Sequence, residues 1–378
     1  MTVGVALWPE QLSDQERAAL DPGIPEHLDR RPDILVVGGG IIGVATAVAC
    51  TQAGLGSVVL LEADQLGSGA SGGAAGQLLP EAHVGVDPPA LVELMRLSLA
   101  DWRTLEQTWP GGVGLLPLDW LGLGPTVAQF GPDLPGTAQS LAAAQVQALV
   151  PGLSQPGPGV LVRDQARVNP LRAIARMTAG LACVATGVRV ESVAIEGGRL
   201  HSIQTSAGRF NPLNVVFATG TPPRIAGLDL HLPSSEVKGH MLTTEPTNLT
   251  LPGTVAPLAT SIEDGRLMVG GTLDIGDGER VIRPEVIAAM TAELAAAWPV
   301  ARGVRVAHQW ACFRPAHPDH LPVIDRLPGV ANAWLTSGHY KTGILLAPAT
   351  GNALAEWLRT GRCPAQVAGF GVDRFAAA

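Results

Sequence analysis

Three glycines and one acid carry the clearest chemistry in this chain. Gly38, Gly40 and Gly43 are spaced G-x-G-x-x-G, and Glu62 follows about 20 residues later. Gly38 permits a tight turn, Gly40 lets the main chain approach a pyrophosphate, and Gly43 lets a helix pack close to a strand. The N-terminus of that helix offers N–H groups and partial positive charge to phosphates. An acid at Glu62 accepts hydrogen bonds from ribose hydroxyls and disfavours a 2′-phosphate, so a dinucleotide other than NADP is expected. Such glycines need a strand before them and a helix after. Asp33–Val37 reads as a fully buried strand, Ile41–Ala53 as a helix of small residues ended by Gly54 and Gly56, and Ser57–Leu61 as a second buried strand finishing at Glu62.

The other reactive residues are scattered. Cys50, Cys183, Cys312 and Cys363 form no C-x-x-C, so neither a zinc site nor a disulfide framework is expected, and a cytoplasmic location fits. His308, His317 and His320 have no acid or cysteine at ligand spacing, so no metal is expected. No Ser-His-Asp or paired-carboxylate signature appears, and the acids between Asp264 and Glu279 read as solvated turn positions. With 25 Lys and Arg against 33 Asp and Glu, a net charge of −8 and no basic run, nucleic acid is excluded as a partner. The opening residues lack the cationic and apolar regions of a signal peptide. Ile34 to Leu61 carries no charge and is long enough to span a bilayer, but its six glycines and the strand–helix–strand pattern argue for a buried unit and no membrane.

The chain has 378 residues, 46 of them Gly and 31 Pro; 46% are hydrophobic and 15% charged, which excludes collagen and disorder and allows a large core. Residues 1–30 read as an N-terminal extension without chemistry, holding one short helix over Gln11–Leu20 with Ser13 as N-cap and Glu16 three residues on. A glycine-rich loop covers 67–79, and Pro89–Trp109 carries apolar residues at helical spacing. Short strands are expected at Gly114–Leu118 and Val160–Arg163, and Asn169-Pro170 starts a further helix. Strands follow at Val184–Val193, Leu200–Thr205 and Asn214–Ala218, then at Lys238–Thr244, Arg266–Gly271 and Arg305–Phe313, with a helix over Glu285–Trp298. The chain closes on a strand at Ala333–Thr336, a glycine turn and a helix to Arg359, stopped by Gly361. This order predicts a mixed α/β fold: a Rossmann-like domain (31–80, 155–232 and 315–378) interleaved with a substrate domain on a large mixed sheet (81–154 and 233–314).

Two stretches carry a resemblance. ILVVGGGIIGVATAVACTQAG with VVLLEADQLGSGASGGAAGQL resembles the opening of the D-amino-acid oxidase family of FAD enzymes. FRPAHPDHLPVIDRLPGV with WLTSGHYKTGILLAPATGNALAEWL is most similar to glycine oxidases of the thiazole-pathway type. The likeness spans 33–360, weakly at 110–160 and 245–262. It implies FAD, with Gly38, Gly40 and Gly43 at the pyrophosphate and Glu62 at the adenosine ribose. It implies Ser71, Ala75, Gly76 and Gln77 along the flavin, Val188 meeting the adenine through its backbone, and Thr219-Gly220 lining the nucleotide. Gly338, His339, Lys341, Thr342, Gly343, Ile344 and Leu345 would bend past the flavin, with the N–H groups from Lys341 to Leu345 and the helix dipole facing N1 and the C2 carbonyl.

On the substrate side the resemblance implies that Arg314 pairs with a carboxylate; the alternative is a structural salt bridge to Asp319 or Asp325. Tyr340, the chain's one tyrosine, would line the pocket or bond the carboxylate, or simply pack. Leu258 falls near a position where related glycine oxidases carry a second carboxylate-binding tyrosine, and Leu273 where a methionine often covers the flavin. This implies a more apolar pocket, suited to a bulkier amino acid or a cyclic imino acid. The implied reaction passes hydride from the α-carbon of a small amino acid or amine to flavin N5, giving an imine, then a 2-oxo acid and ammonia, with O2 reduced to H2O2. Three alternatives stay open: a dehydrogenase with another acceptor, a sarcosine-oxidase-like enzyme with flavin on Cys312, and a flavin-binding subunit without catalysis of its own. Homo-oligomerisation is not readable from the sequence.

Overall fold

The computed structural model describes residues 3–130, 134 and 136–375. Ile34–Val37 and Val58–Leu61 are fully buried and pair in parallel, Leu35 opposite Val59. They form the middle of a six-stranded sheet in the order Val323–Arg326, Ala333–Ser337, Asn214–Gly220, Ile34–Val37, Val58–Leu61, Val184–Ala185. All its pairings are parallel except the first. Consecutive buried β-branched and leucine residues suit strands covered on both faces.

One face is covered by helices Ile41–Gln52, Pro89–Thr108, Pro170–Thr178 and Gly343–Thr360, whose apolar sides share a core with Ile34, Val36 and Leu60. Small residues let two of them nearly touch: a Cβ on Gly351 would press on the main chain of Ala45. The gain is dense packing, at the expense of flexible Gly backbone.

The second sheet has ten strands. Its path runs Val3–Gly4, Val306–Ala316, Ser235–Thr244, Leu267–Gly270, Ala259–Ser261, Thr254–Ala256, Leu116–Leu123, Gly159–Arg167 and Gln77–Leu78, and Ala138–Leu141 pairs with Gly159–Arg167. The pairing of Thr254–Ala256 with Leu116–Leu123 is parallel and the rest antiparallel, so the sheet is mixed. Val190–Glu196, Arg199–Thr205 and Gly208–Phe210 form a small antiparallel sheet.

Four expectations change. The stretch Val184–Val193 is two strands in two sheets, because Gly187 (φ +72) turns the chain between them. Residues 159–167 run in the ten-stranded sheet, not beside the nucleotide-binding strands. Helix Pro89–Thr108 packs on the six-stranded side. Residues 3–20 are no loose extension: Gly4 pairs with Trp310, and Leu7 and Trp8 are buried. No helix among the described residues is long and apolar enough to cross a membrane.

Candidate active site

A cavity of about 620 Å3 opens where the carboxyl ends of the parallel strands face the large sheet. At one end Gly38 (φ +116) turns the chain off its strand, and a Cβ there would strike Ala218 O. Gly40 heads the helix that follows and lines the cavity. A Cβ on Gly43 would overlap Gly38 O, so Gly43 sets the distance between helix and turn from behind the wall. Glu62 lines the cavity; its Oε2 accepts from Gly39 N–H at 2.6 Å and its Oε1 from Asp64 N–H at 2.8 Å. A carboxylate offers about four acceptor sites, so capacity remains for ribose hydroxyls. Val188 lies outside the wall: it is buried, and its N–H supports Glu62 O at 2.8 Å.

Along the cavity runs the loop from Gly67 to Gln77, with Ser71, Ala75, Gly76 and Gln77 in the wall and Thr219-Gly220 also lining it. Ser71 Oγ accepts from Ile41 N–H at 3.0 Å, and the Gln77 amide donates to Thr254 and Thr260 at 3.1 and 2.7 Å. Gly338 (φ +69) stands behind the wall, because a Cβ there would enter the ring of His317. His339 lines the cavity, bonds Thr350 Oγ1 at 3.1 Å, and has its pKa pushed down to about 3 by burial and the neighbouring His317. His339 therefore stays neutral at working pH.

The last helix starts at Gly343 without a capping side chain. The first N–H groups of a helix have no partner within it, and Gly343, Ile344 and Leu345 all line the cavity. This end is held in place from below. Pro348 cannot donate to Ile344 O, and Trp102 Nε1 does so instead at 3.1 Å. Ser98 Oγ donates to Leu345 O at 2.6 Å and accepts from Ala349 N–H at 3.2 Å.

Arg314 lines the same cavity, half-buried. Its Nη1 donates to Thr272 O at 3.0 Å, and a Cβ on Gly239 or Gly271 would run into its guanidinium. Two bare glycines and one carbonyl thus form its cradle. Among the described residues Arg314 has no acidic partner: Asp319 pairs with Arg374 at 2.7 Å, and Asp325 accepts from Val372 N–H at 2.8 Å. Beside it, Tyr340 (φ +50) stacks on His320 with centroids 4.4 Å apart. Lys341 Nζ lies 3.8 Å from Asp87, and Asp87 bonds His83 Nδ1 at 2.6 Å. Burial raises the Asp87 pKa, but the His83 bond and the Lys341 charge outweigh it and hold the group below the usual range.

The acids of the 264–279 segment are not all solvated. His240 Nδ1 meets Asp274 Oδ2 at 2.7 Å, Thr272 Oγ1 donates to the same oxygen at 2.9 Å, and Lys238 Nζ meets Asp277 at 2.9 Å. His240 and Lys238 are fully buried. They pin the strap whose Thr272 carbonyl holds Arg314. Leu273 lines the cavity while remaining 57% exposed, whereas Leu258 is buried in a separate core. Cys312 lines the cavity, yet its Sγ donates to Ala70 O at 3.5 Å and burial raises its pKa, away from the reactive thiolate. His308 and His317 find protein partners, Glu10 with Thr243 and Pro233 with Ser337. His83, Trp120, Met241, Ala256 and Gly271 complete the wall without having been anticipated. Four of these five sit on or beside strands of the large sheet, remote in sequence from either glycine motif; only His83, shortly after Gln77, was within reach of local reading.

Two helix N-termini and an acid with acceptor capacity to spare lie along one long cavity against a mixed sheet, a donor set that fits a dinucleotide such as FAD. Residues 33–357 match the family described as FAD dependent oxidoreductase, and the chain belongs to that family; FAD is its cofactor. The chain is 28% identical over 350 residues to a glycine oxidase of Pseudomonas putida, covering 84% of this chain and 92% of the relative. It is 30% identical over 204 residues to a D-amino acid dehydrogenase of Cereibacter sphaeroides, covering 50% and 45%. The crystal structure of glycine oxidase from Geobacillus kaustophilus superposes with a TM-score of 0.80 at 24% identity, covering 91% of this chain and 98% of that one.

Proposed function

We propose that the protein oxidises a small amino or imino acid, with Arg314 anchoring the substrate carboxylate. The observation that carries this reading is a cradled guanidinium on the cavity wall with no acidic partner among the described residues. A planar guanidinium takes a carboxylate bidentately, and the pair strengthens where water is excluded. Thr272 O fixes Nη1, which leaves the other edge of the fork for the ligand. Tyr340 and Leu273 share the cavity wall with Arg314, and Met241, Ala256 and Trp120 offer apolar surface for the substrate's remaining atoms. That wall favours a side chain larger than hydrogen, or a ring.

FAD bound here would supply a hydride acceptor for the substrate α-carbon, with its electrons going on to O2 in an oxidase or to another acceptor in a dehydrogenase. Along the cavity, Gly38, Gly40, Glu62, Ser71, Ala75, Gly76, Gln77, Thr219 and Gly220 would hold the nucleotide. Lys341 to Leu345 would turn the last helix's positive end to the ring. Gly43, Val188 and Gly338 act from behind, as packing and buttress. The C-terminal chain stabilises negative charge, and Arg314 orients the carbon; no protein base is required. The raised pKa of Cys312 supports non-covalent FAD, which acid precipitation would release. The 28% identity to a glycine oxidase, which extends over 92% of that relative, favours O2 as acceptor.

The test is turnover of an amino acid against the amine lacking its carboxylate, with peroxide and ammonia measured in air. Wild type should strongly prefer the amino acid and release peroxide. Arg314→Ala should lose that preference while retaining FAD. Equal turnover of the amino acid by wild type and Arg314→Ala would remove the assignment.

A further inference from the structure

The family match begins at residue 33, yet residues before it brace the cofactor cavity. Val3–Gly4 adds an edge strand beside Val306–Ala316, with Gly4 opposite Trp310. The chain then turns inward, and two indoles arrive side by side on one loop. Trp310 Nε1 donates to Gly73 O at 2.9 Å and Trp8 Nε1 to Ala74 O at 2.8 Å. Trp8 is 3% exposed and packs with Leu7 and Leu12 in a cluster that includes Met241, Cys312, Ala70 and Ala75. Those last four line the cavity. Asn169, the N-cap of helix Pro170–Thr178, bonds Trp8 O at 3.0 Å. Further along, Leu20 O accepts from Leu66 N–H at 2.9 Å, and Asp21 from the Gln65 amide at 3.1 Å.

We propose that residues 3–21 form a clasp that sets the 67–77 loop in its FAD-binding shape, with Trp8 as its central positioning residue. The loop carries Gly67, Gly69, Gly72, Gly73 and Gly76. So many glycines make it costly to order. A loop ordered only when FAD arrives would subtract that ordering from the binding free energy. The clasp orders it beforehand, from residues that do not themselves line the cavity.

The inference rests on FAD occupying the cavity, and one titration separates the two. Apoprotein is titrated with FAD, following flavin fluorescence, for wild type, Trp8→Phe and Trp298→Phe. Trp298 is the control: an equally buried indole donating to Pro151 O at 2.8 Å, in a core away from the cavity. Losing the N–H should leave a carbonyl unpaired in both. Trp8→Phe should weaken FAD about tenfold and Trp298→Phe less than twofold, at similar loss of apoprotein Tm. Equal FAD affinity in Trp8→Phe and wild type, or an equal loss in both variants, overturns the clasp. A wild type that takes up no FAD overturns the reading beneath it. Hydrogen exchange on wild-type apoprotein needs no variant. Loop amides at 67–77 should be protected without FAD, and free exchange there contradicts the proposal.

Discussion

At the scale of residues, the site depends on what is absent as much as on what is present. Arg314 can lie against the sheet because positions 239 and 271 carry no side chain. Gly239→Ala should therefore push the guanidinium or the Thr272 carbonyl aside. A displacement of about 1 Å at a substrate anchor costs on the order of 100-fold, so kcat/KM for the amino acid should fall by ~10–100-fold. FAD affinity should stay unchanged, because Gly239 is not part of the cavity wall. Steady-state kinetics with an FAD titration checks both halves. The glycines and acid at 38–62 were legible from sequence because strand, turn, helix and strand follow each other without interruption, so spacing in sequence is spacing in space. Arg314 was legible only through its resemblance motif. Its cradle was not, since Gly239 lies on another strand, Gly271 and Thr272 just past the end of a third, and nothing local marks them. Asp274 and Asp277 look like loop acids until the fully buried His240 and Lys238 are found beneath them.

Among the elements, the last helix bears most on the site, since its N-terminus lines the cavity. It contains Pro348, and Trp102 and Ser98 of helix Pro89–Thr108 supply the missing backbone partners. Trp102→Phe should leave Ile344 O buried without a donor. The expected loss is about 1–3 kcal/mol of stability, read by denaturant melting, with weaker FAD binding alongside. The strap 270–283 is the second such element. His240 accepts Arg283 N–H on Nε2 at 3.0 Å, so its proton sits on Nδ1, toward Asp274. Asp274→Ala should raise KM for the amino acid several-fold and leave turnover of a carboxylate-free amine unchanged. Asp274→Asn keeps an oxygen for both donors and should restore most of the loss. Equal effects on both substrates would reduce the strap to scaffolding. These helices were readable from their apolar spacing and caps, as at Asn169, which accepts from Leu171 and Arg172 N–H. The single strand expected at Val184–Val193 was not, because the turn at Gly187 sends its halves to different sheets. The N-terminal residues carried only the Ser13–Glu16 capping signature, which marks where a helix starts and not where it docks, and a buried Trp8 has no mark in sequence that distinguishes it from an exposed one.

Across the whole molecule, two buried histidines, His339 and His317, make stability depend on pH in a defined direction. His339 protonates only near pH 3 in the folded state, because burial opposes the charge, and near 6.5 when unfolded. Between these values the unfolded chain binds the extra proton, so stability falls as pH drops, by about 1.4 kcal/mol per pH unit for one such group. His317, also lowered by burial, acts with the same sign; Asp101, raised by burial, opposes it toward the acid end. Tm of the apoprotein should therefore decline from pH 6.5 to 4.5, and His339→Asn should flatten that decline. A mixed α/β fold with a parallel nucleotide-binding sheet was legible from the order of strands and helices. The path of the ten-stranded sheet was not, because it joins stretches from residue 3 to residue 316 by pairings that no local pattern specifies. The central proposal is one cavity that holds FAD beside a guanidinium anchoring an acid. Anaerobic mixing of the FAD-loaded protein with a panel of amino acids, imino acids and their carboxylate-free amines tests this most directly. At least one carboxylate substrate should bleach the flavin rapidly in wild type and at least 100-fold more slowly in Arg314→Ala. A flavin that no acid in the panel bleaches, or that Arg314→Ala lets bleach at the wild-type rate, would contradict it.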